Sequence, residues 1–445
     1  MTVTGWIAAG IFAVAYVLIA SDRLDKTKVA LAGAALMIIV GIVDQHTAFH
    51  GREGVEGIDW NTIFLLMGMM IIVNITRRTG LFEWVAIRTA KIGRGRPILI
   101  LIGMTTATAL LSAFLDNVTT VLLIVPTIIV IYEALELDPV PFVIFAIMAS
   151  NLGGSLTLVG HPPNIMIAST AGFDFMDFLR VNGPFIGVVF MLFIGMMWWG
   201  LGRRVSVSDE DRARIMQFDE TRAITDAQLL WRCITVMGLV FAGFAVHGAL
   251  HLEPATIALA GAALLLLLHP EDPREVLEEI EWPTLFFFIG LFIMVAGLTE
   301  TGVVRALGMG MVSITGGNLF SLTVLVLLVT AVASALMDNI PFVATMTALL
   351  SAIAPELHPD PASAASTVEL LQHESILPIW WALSLGAGLG GNLALIGASP
   401  NVVAAGVSKR SGHPIGFVRF LKYGVVVTAP MIVLAVGYLW LRFFM

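Results

Sequence analysis

Apolar residues run along this chain in long blocks with few interruptions, among them Gly5 to Ala20, Val29 to Val43, Ile63 to Val73, Gly183 to Gly202, Leu319 to Met337 and Tyr423 to Phe444. Several approach the ~20 residues with which a helix crosses a bilayer, and no soluble-helix reading accounts for them. The blocks predict transmembrane helices. The first is as long as a secretory signal but lacks a basic leading region and a small-residue cleavage site, so it is expected to be a retained helix.

The pattern then repeats itself. VALAGAAL, from Val29 to Leu36, returns as IALAGAAL from Ile257 to Leu264. Trp60-Asn61-Thr62 with Gly68 returns as Trp282-Pro283-Thr284 with Gly290, and from that tryptophan the match continues without a gap. Thr79-Gly80 falls on Thr301-Gly302, and SAFLDN ending at Asn117 falls on SALMDN ending at Asn339. LGGSLTLVGHPPN, from Leu152 to Asn164, meets LGGNLALIGASPN, from Leu389 to Asn401, after an insert around His358 to His373 that reads as an aqueous loop.

Charge decides how the two copies are oriented, because short basic loops stay on the cytoplasmic side. Arg77, Arg78, Arg88, Lys91, Arg94 and Arg96 crowd the loop from Thr76 to Pro97, whereas the matching loop from Thr299 offers Glu300 and Arg305. Near the ends of the copies the sign reverses. Asp174, Asp177 and Arg180 match a loop carrying Lys409, Arg410, Arg419 and Lys422. Inverted-topology repeats result, and such repeats are how many secondary carriers build a site near the midplane that opens to each side in turn. The parity of crossings closes only if one hairpin per copy enters and returns without crossing.

The expected fold class is therefore an all-α polytopic membrane protein made of two inverted-topology repeats with re-entrant helical hairpins and broken transmembrane helices. The N-terminal repeat is expected over residues 1–202, with its hairpin around 97–136 and its broken helix around 140–170. A charged cytoplasmic linker follows over 203–228. The C-terminal repeat covers 229–445, with a hairpin around 318–355 and a broken helix around 376–406.

Composition agrees: 58% of the 445 residues are hydrophobic and 13% charged, more apolar surface than a soluble core buries. The formal charge of −8 is spread over loops and implies no nucleic-acid partner. The single cysteine, Cys233, excludes an internal disulfide and a multi-thiolate metal site, and reads as a buried helix residue. No cofactor, metal or catalytic constellation is expected, and with no phosphate-binding loop the energy comes from an ion gradient or a separate ATPase partner.

Chemistry concentrates where polar groups interrupt apolar blocks, since a central Asp costs a few kcal/mol in a membrane and calls for a role. Asp116, Asn117, Thr119 and Thr120 occupy one hairpin tip, Asp338 and Asn339 the other. Each aspartate could equally cap the returning helix, and capping does not exclude function. The second constellation breaks a helix in each copy: Ser155, Gly160, His161 and Asn164 in the first, Asn392, Gly397, Ser399 and Asn401 in the second. Paired half-helix ends of this kind hold ions and polar solutes. His161 corresponds to Ala398 in the other copy and is either a helix-end histidine or a proton carrier. Asn74, Arg77 and the run of Met67, Met69 and Met70 read as packing and interface residues.

At these motifs the chain resembles the ion transporter superfamily, in the branch that holds arsenite permeases, NhaD-type sodium/proton antiporters and the melanosomal P protein. The resemblance spans nearly the whole chain. It implies a scaffold, a mobile unit carrying both hairpins, and a homodimer. The dicarboxylate branch carries Ser-Asn-Thr at the hairpin tips; this chain carries Asp116 and Asp338, which would repel a dianion such as citrate or succinate. A neutral hydroxide or a small cation suits the residues better. The expectation is export of arsenite or antimonite in exchange for protons carried by Asp116 and Asp338, with Na+/H+ antiport as the alternative. Lacking several thiolates, the site would recognise As(OH)3 through hydrogen bonds. A bacterial inner membrane fits the charge asymmetry. A channel would resemble this pattern but lacks a repeated pore filter, and an intramembrane enzyme would not need mirrored tips.

Overall fold

In a computed structural model, which describes residues 2–21, 23–52, 54–202, 207–217, 220–269 and 272–445, the apolar blocks become helices and no strand forms among the described residues. The first copy comprises α1 (Val3–Ala20), α2 (Lys26–Ile39), the short α3 (Gln45–His50), α4 (Trp60–Arg77), α5 (Leu81–Ile92), α6 (Pro97–Ser112), α7 (Asn117–Ala134), α8 (Val140–Gly154), α9 (Pro162–Ala171) and α10 (Phe175–Met197). Between the copies lies α11 (Asp209–Met216). The second copy comprises α12 (Ala227–Leu250), α13 (Pro254–Leu268), α14 (Pro273–Glu278), α15 (Trp282–Glu300), α16 (Val303–Ile314), α17 (Leu319–Leu336) and α18 (Asn339–Leu357). It ends with α19 (Thr367–Leu371), α20 (Leu377–Gly390), α21 (Ser399–Arg410) and α22 (Phe417–Phe443). Among the described residues nine helices are long and apolar enough to cross a membrane.

Local chemistry sets the helix starts. Asp25, Asp59, Asp116, Asp226 and Asp338 each accept an N–H of the first turn that follows, a cap typically worth ~1 kcal/mol. Gly80 and Gly302, at matched positions, open α5 and α16 with φ of 77° and 73°, a left-handed turn that favours glycine.

Packing repeats as the motifs do. A Cβ on Gly68 would meet the backbone of Ala258 at 2.8 Å, and one on Gly290 the backbone of Ala30 at 2.6 Å. Both glycines let two helices lie backbone to backbone, α4 on α13 and α15 on α2, each pair joining one copy to the other. Across this layer sit the hairpins α6–α7 and α17–α18. Each leans its first helix on the broken helix of its own copy, α6 on α8 and α17 on α20, and its second on the other copy, α7 on α21 and α18 on α9. The first contacts are as close as the others: a Cβ on Gly153 would meet the Ala109 carbonyl oxygen at 2.0 Å, and one on Gly390 the Ala331 oxygen at 2.5 Å.

Charges close the basic end. Arg77 and Arg78 pair with Glu279 at 3.1 and 3.0 Å, and Asn74 donates to the Glu279 carbonyl, so these residues do join the copies. Glu220 of the linker binds Lys91 and Arg88; residues 203–206 and 218–219 of the expected linker lie outside the described residues. Cys233 is buried in α12. The insert differs from a plain aqueous loop. Its apolar Val368, Leu370 and Leu371 form α19, Leu371 is buried, and Gln372 donates to the carbonyls of Ala171 and Gly172 at the end of α9.

Candidate functional site

Both hairpins turn at their aspartates. Asp116 Oδ2 accepts the Thr119 N–H at 3.0 Å and its hydroxyl at 3.2 Å, and the Thr120 hydroxyl donates to the Asp116 carbonyl at 3.0 Å. Asp338 Oδ1 accepts the Ile340 N–H at 3.3 Å. Capping thus occupies one oxygen of each carboxylate and leaves the other outside the cap.

A cavity of about 200 Å³ opens beside the two tips. Asp116 and Asn117 face it from one hairpin, Asn339 from the other, His161 and Ser399 from the two helix breaks. The remaining wall comes from the layer of α2, α4 and α15 and brings in Lys26, Glu281 and Thr284, with the apolar Leu66 and Met70. Lys26, Glu281 and Thr284 stand at the ends of α2 and α15 that the charge rule assigns to the cytoplasm. A larger cavity of about 410 Å³ lies on the opposite side, lined by Thr62, Ile165, His247 and Pro254 among others. Asp116 does not reach it. Leu66, Met69, Met70 and Val159 leave only about 10 Å³ beside Asp116 on that path, so the tips open toward the basic side.

Lys26 is the strongest polar feature of the cavity. Its Nζ lies 2.9 Å from Asp338 Oδ2 and 3.0 Å from Ser399 Oγ, and the Ser399 hydroxyl donates to the same Asp338 oxygen at 2.6 Å. The ammonium also lies 5.1 Å from the centre of the Phe287 ring. His161 Nε2 is 2.9 Å from the Asn339 amide nitrogen, and His161 Nδ1 is buried without a hydrogen-bond partner among the described residues. Asp116 and Glu281 thus line the cavity with Lys26, whose ammonium is already paired with Asp338 and also feels the charges of Glu281 and Asp25.

The other candidate residues turn away from the cavity into a buried polar lattice between the broken helices. Asn151 donates to the side-chain oxygens of Asn392 and Asn401, each at 2.9 Å. Asn401 in turn donates to the Gly391 and Ala394 carbonyls, and Asn392 to the Met148 carbonyl. Asn164 donates to the Thr157 carbonyl and accepts the Ser384 hydroxyl at 2.8 Å. The Ser155 hydroxyl donates to the Asn151 carbonyl, while Asn182 donates to the Ser155 carbonyl and to Ser384. Gly160 and Gly397 sit where a Cβ would meet the carbonyl oxygens of Ser112 and Ser334 at 2.5 and 2.6 Å. Apart from the Asn182 side-chain oxygen, which has no partner among the described residues, these groups are hydrogen-bonded or packed, which holds the two breaks in one geometry.

Sequence reasoning missed Lys26, Glu281 and Thr284 at the cavity and Asn151, Asn182 and Ser384 in the lattice. Thr284 lies inside the repeated Trp-x-Thr motif and Glu281 just before it, so that motif held a signal beyond the repeat it revealed. Asn151 lies directly before the repeated Leu-Gly-Gly and was within reach as well.

Comparison with known proteins agrees with this architecture. The profile of the CitMHS family, described as citrate transporter, matches residues 16–369. An uncharacterized transporter of Mycobacterium tuberculosis is 45% identical over 438 residues, covering 98% of each chain. The human P protein is 32% identical over 499 residues, covering 94% of this chain and 57% of its own length. Among solved structures, the Alcanivorax borkumensis YdaH transporter shares the fold with a TM-score of 0.53 at 12% identity, over 99% of both chains.

Proposed function

The chain belongs to the citrate transporter (CitMHS) family of multi-pass membrane transporters, and we propose that within it this protein exchanges protons for a small solute without negative charge. The observation that carries the proposal is the cavity itself: Asp116 and Glu281 line it with Lys26, and the charge of Lys26 is already paired with Asp338. A citrate trianion or a dicarboxylate entering there would face excess carboxylate in a poorly hydrated space, where like charges repel far more than in water. Neutral arsenous or antimonous acid would instead accept from Lys26, His161 Nδ1 and Asn117 and donate to Asp116. The leading reading is export of arsenite or antimonite across a bacterial inner membrane, driven by the proton gradient, with the two aspartates taking up the returning proton and a homodimer as the working unit.

A second reading is favoured by a specific observation. The Lys26 ammonium already occupies a place between Asp338 and Ser399 that a sodium ion could take, which makes Na+/H+ exchange the alternative. Proteoliposomes holding a pH dye separate these readings. Proton flux triggered by arsenite or antimonite and lost in Asp116→Asn or Asp338→Asn supports the first. Flux triggered only by sodium or lithium moves the conclusion to the second, and flux triggered by citrate overturns both.

A further inference from the structure

Lys26 breaks the symmetry of the repeats. Where the first copy places Lys26 three residues before Val29-Ala30-Leu31, the second places Pro254 three residues before Ile257-Ala258-Leu259. Among the described residues one aspartate therefore has a tethered ammonium and its mirror mate has none: Asp338 is bound by Lys26 and Ser399, Asp116 by Thr119 and the Val118 N–H. The groups around Asp338 come from every neighbouring element. Tyr16 of α1 and His161 before α9 act on Asp338 together with Lys26 at the start of α2, Asp25 and Glu281 act on Lys26, and Asp116 before α7 lies near Glu281 across the cavity. Of these only Lys26 bonds the carboxylate directly.

The bond also crosses a boundary. Lys26 stands on α2, which packs on α15, whereas Asp338 and Ser399 stand on the second hairpin and on α21. The exchange proposed above, on which this inference rests, needs a site that opens to each side in turn, and in such a carrier those two groups of helices move past each other.

We propose that Lys26 is the coupling residue of the carrier: its ammonium ties the second hairpin to α2 while Asp338 is ionised, and a proton on Asp338 releases it. An ionised Asp338 that left Lys26 would carry an unpaired carboxylate past the apolar wall of Leu66 and Met70, which is strongly disfavoured. A protonated Asp338 is neutral and passes. The proton comes from water and bonds to Asp338 Oδ2; Lys26 keeps its own proton and its charge, and Asp25 and Glu281 stay beside it as counter-charges. The empty, deprotonated carrier is thereby held open to the basic side, which forbids a crossing with neither proton nor solute.

The test needs no cargo. In the full chain carrying Cys233→Ala, a reporter Val403→Cys on the cavity wall is labelled from the basic side with an impermeant maleimide in oriented proteoliposomes, normalised to the denatured protein. With Lys26 present, labelling is expected to fall at least about fivefold from pH 8 to pH 5 as the tip is released, a bias of ~1 kcal/mol between two states. Lys26→Met is expected to show the low rate already at pH 8, and Lys26→Arg to follow the parent. Asp338→Asn, which removes the charge from the other side, is expected to give the low rate at both pH values. Labelling of Lys26→Met or of Asp338→Asn at the parent's pH 8 rate overturns the proposal. If labelling depends on Lys26 but no solute drives proton flux, the cargo reading falls and the coupling stands; if solute drives flux but labelling ignores Lys26, the reverse holds.

Discussion

His161 Nε2 lies 2.9 Å from the amide nitrogen of Asn339, so the broken helix of one copy meets the hairpin tip of the other at the cavity wall. An amide nitrogen donates, so Nε2 accepts and the ring proton sits on Nδ1, which has no partner among the described residues. A buried donor without a partner is costly unless something fills the role, and a solute oxygen in the cavity would do so.

Replacing His161 with Ala should therefore weaken solute binding more than turnover. One hydrogen bond is worth about 0.5–1.5 kcal/mol net, so KM should rise up to roughly tenfold while kcat changes less. Fold should survive, because Ala398 occupies the matching place in the other copy without disturbing its break. Transport kinetics in proteoliposomes check this; an unchanged KM removes His161 from the binding set.

Asparagine caps helices about as well as aspartate, which separates structure from proton traffic at the tips. Asp116→Asn should keep thermal stability within about 0.5 kcal/mol of the parent while abolishing solute-driven proton flux; Asp338→Asn should abolish the flux too, but it also breaks the pair with Lys26 and should melt lower. Asp116→Ala should lose both, with ~1 kcal/mol of the cap gone. Scanning calorimetry or fluorescence melting on the detergent-purified variants, run beside the flux assay, gives the comparison.

Why the sequence revealed some of this and hid the rest follows from how each residue was found. Duplicate motifs located the tips and the breaks because a polar group in an apolar block is conspicuous twice over. That method passes over any residue whose repeat mate differs. Lys26 corresponds to Pro254, and its partner Asp338 is 312 residues away. Asn151 corresponds to Gly388, where a Cβ would meet Ser155 Oγ at 1.9 Å, so the lattice needs a side chain on one copy and none on the other. Motifs also fail to tell direction. Ser155, Asn164, Asn392 and Asn401 belong to the same breaks as His161 and Ser399, yet they point into the packed interior, a choice made by contacts across copies.

Close approach of backbones makes two glycines intolerant of even a methyl group. Gly153→Ala and Gly390→Ala would drive a Cβ to 2.0 and 2.5 Å from the carbonyl oxygens of Ala109 and Ala331. Neither oxygen can move without shifting a hairpin, so each variant should lose about 1–3 kcal/mol and transport besides. Gly187→Ala, with nothing within 4 Å, should be neutral or slightly stabilising. Melting temperatures of the three in one detergent decide it, and equal values would show that the hairpin contact has slack.

On the basic side the linker is held by charge, and its pH response has a definite sign. Hydrogen bonding from Lys91, assisted by Arg88, holds the Glu220 carboxyl below its usual range. A carboxylate whose folded pKa is depressed contributes stability that is present above its unfolded value, near 4.3, and is lost as pH falls through the lower folded value. The contact is thus in force at neutral pH and fails only in strong acid. Because it lies at the surface it should also weaken with salt. Hydrogen exchange over residues 220–223 is expected to stay slow from pH 8 to pH 5, after correction for intrinsic rates, and to quicken in 1 M salt. Glu220→Gln should be fast throughout and insensitive to salt. If Glu220→Gln instead exchanges as slowly as the parent, the neighbouring contacts hold the linker on their own, foremost Thr225 N–H on the Thr79 carbonyl at 3.1 Å.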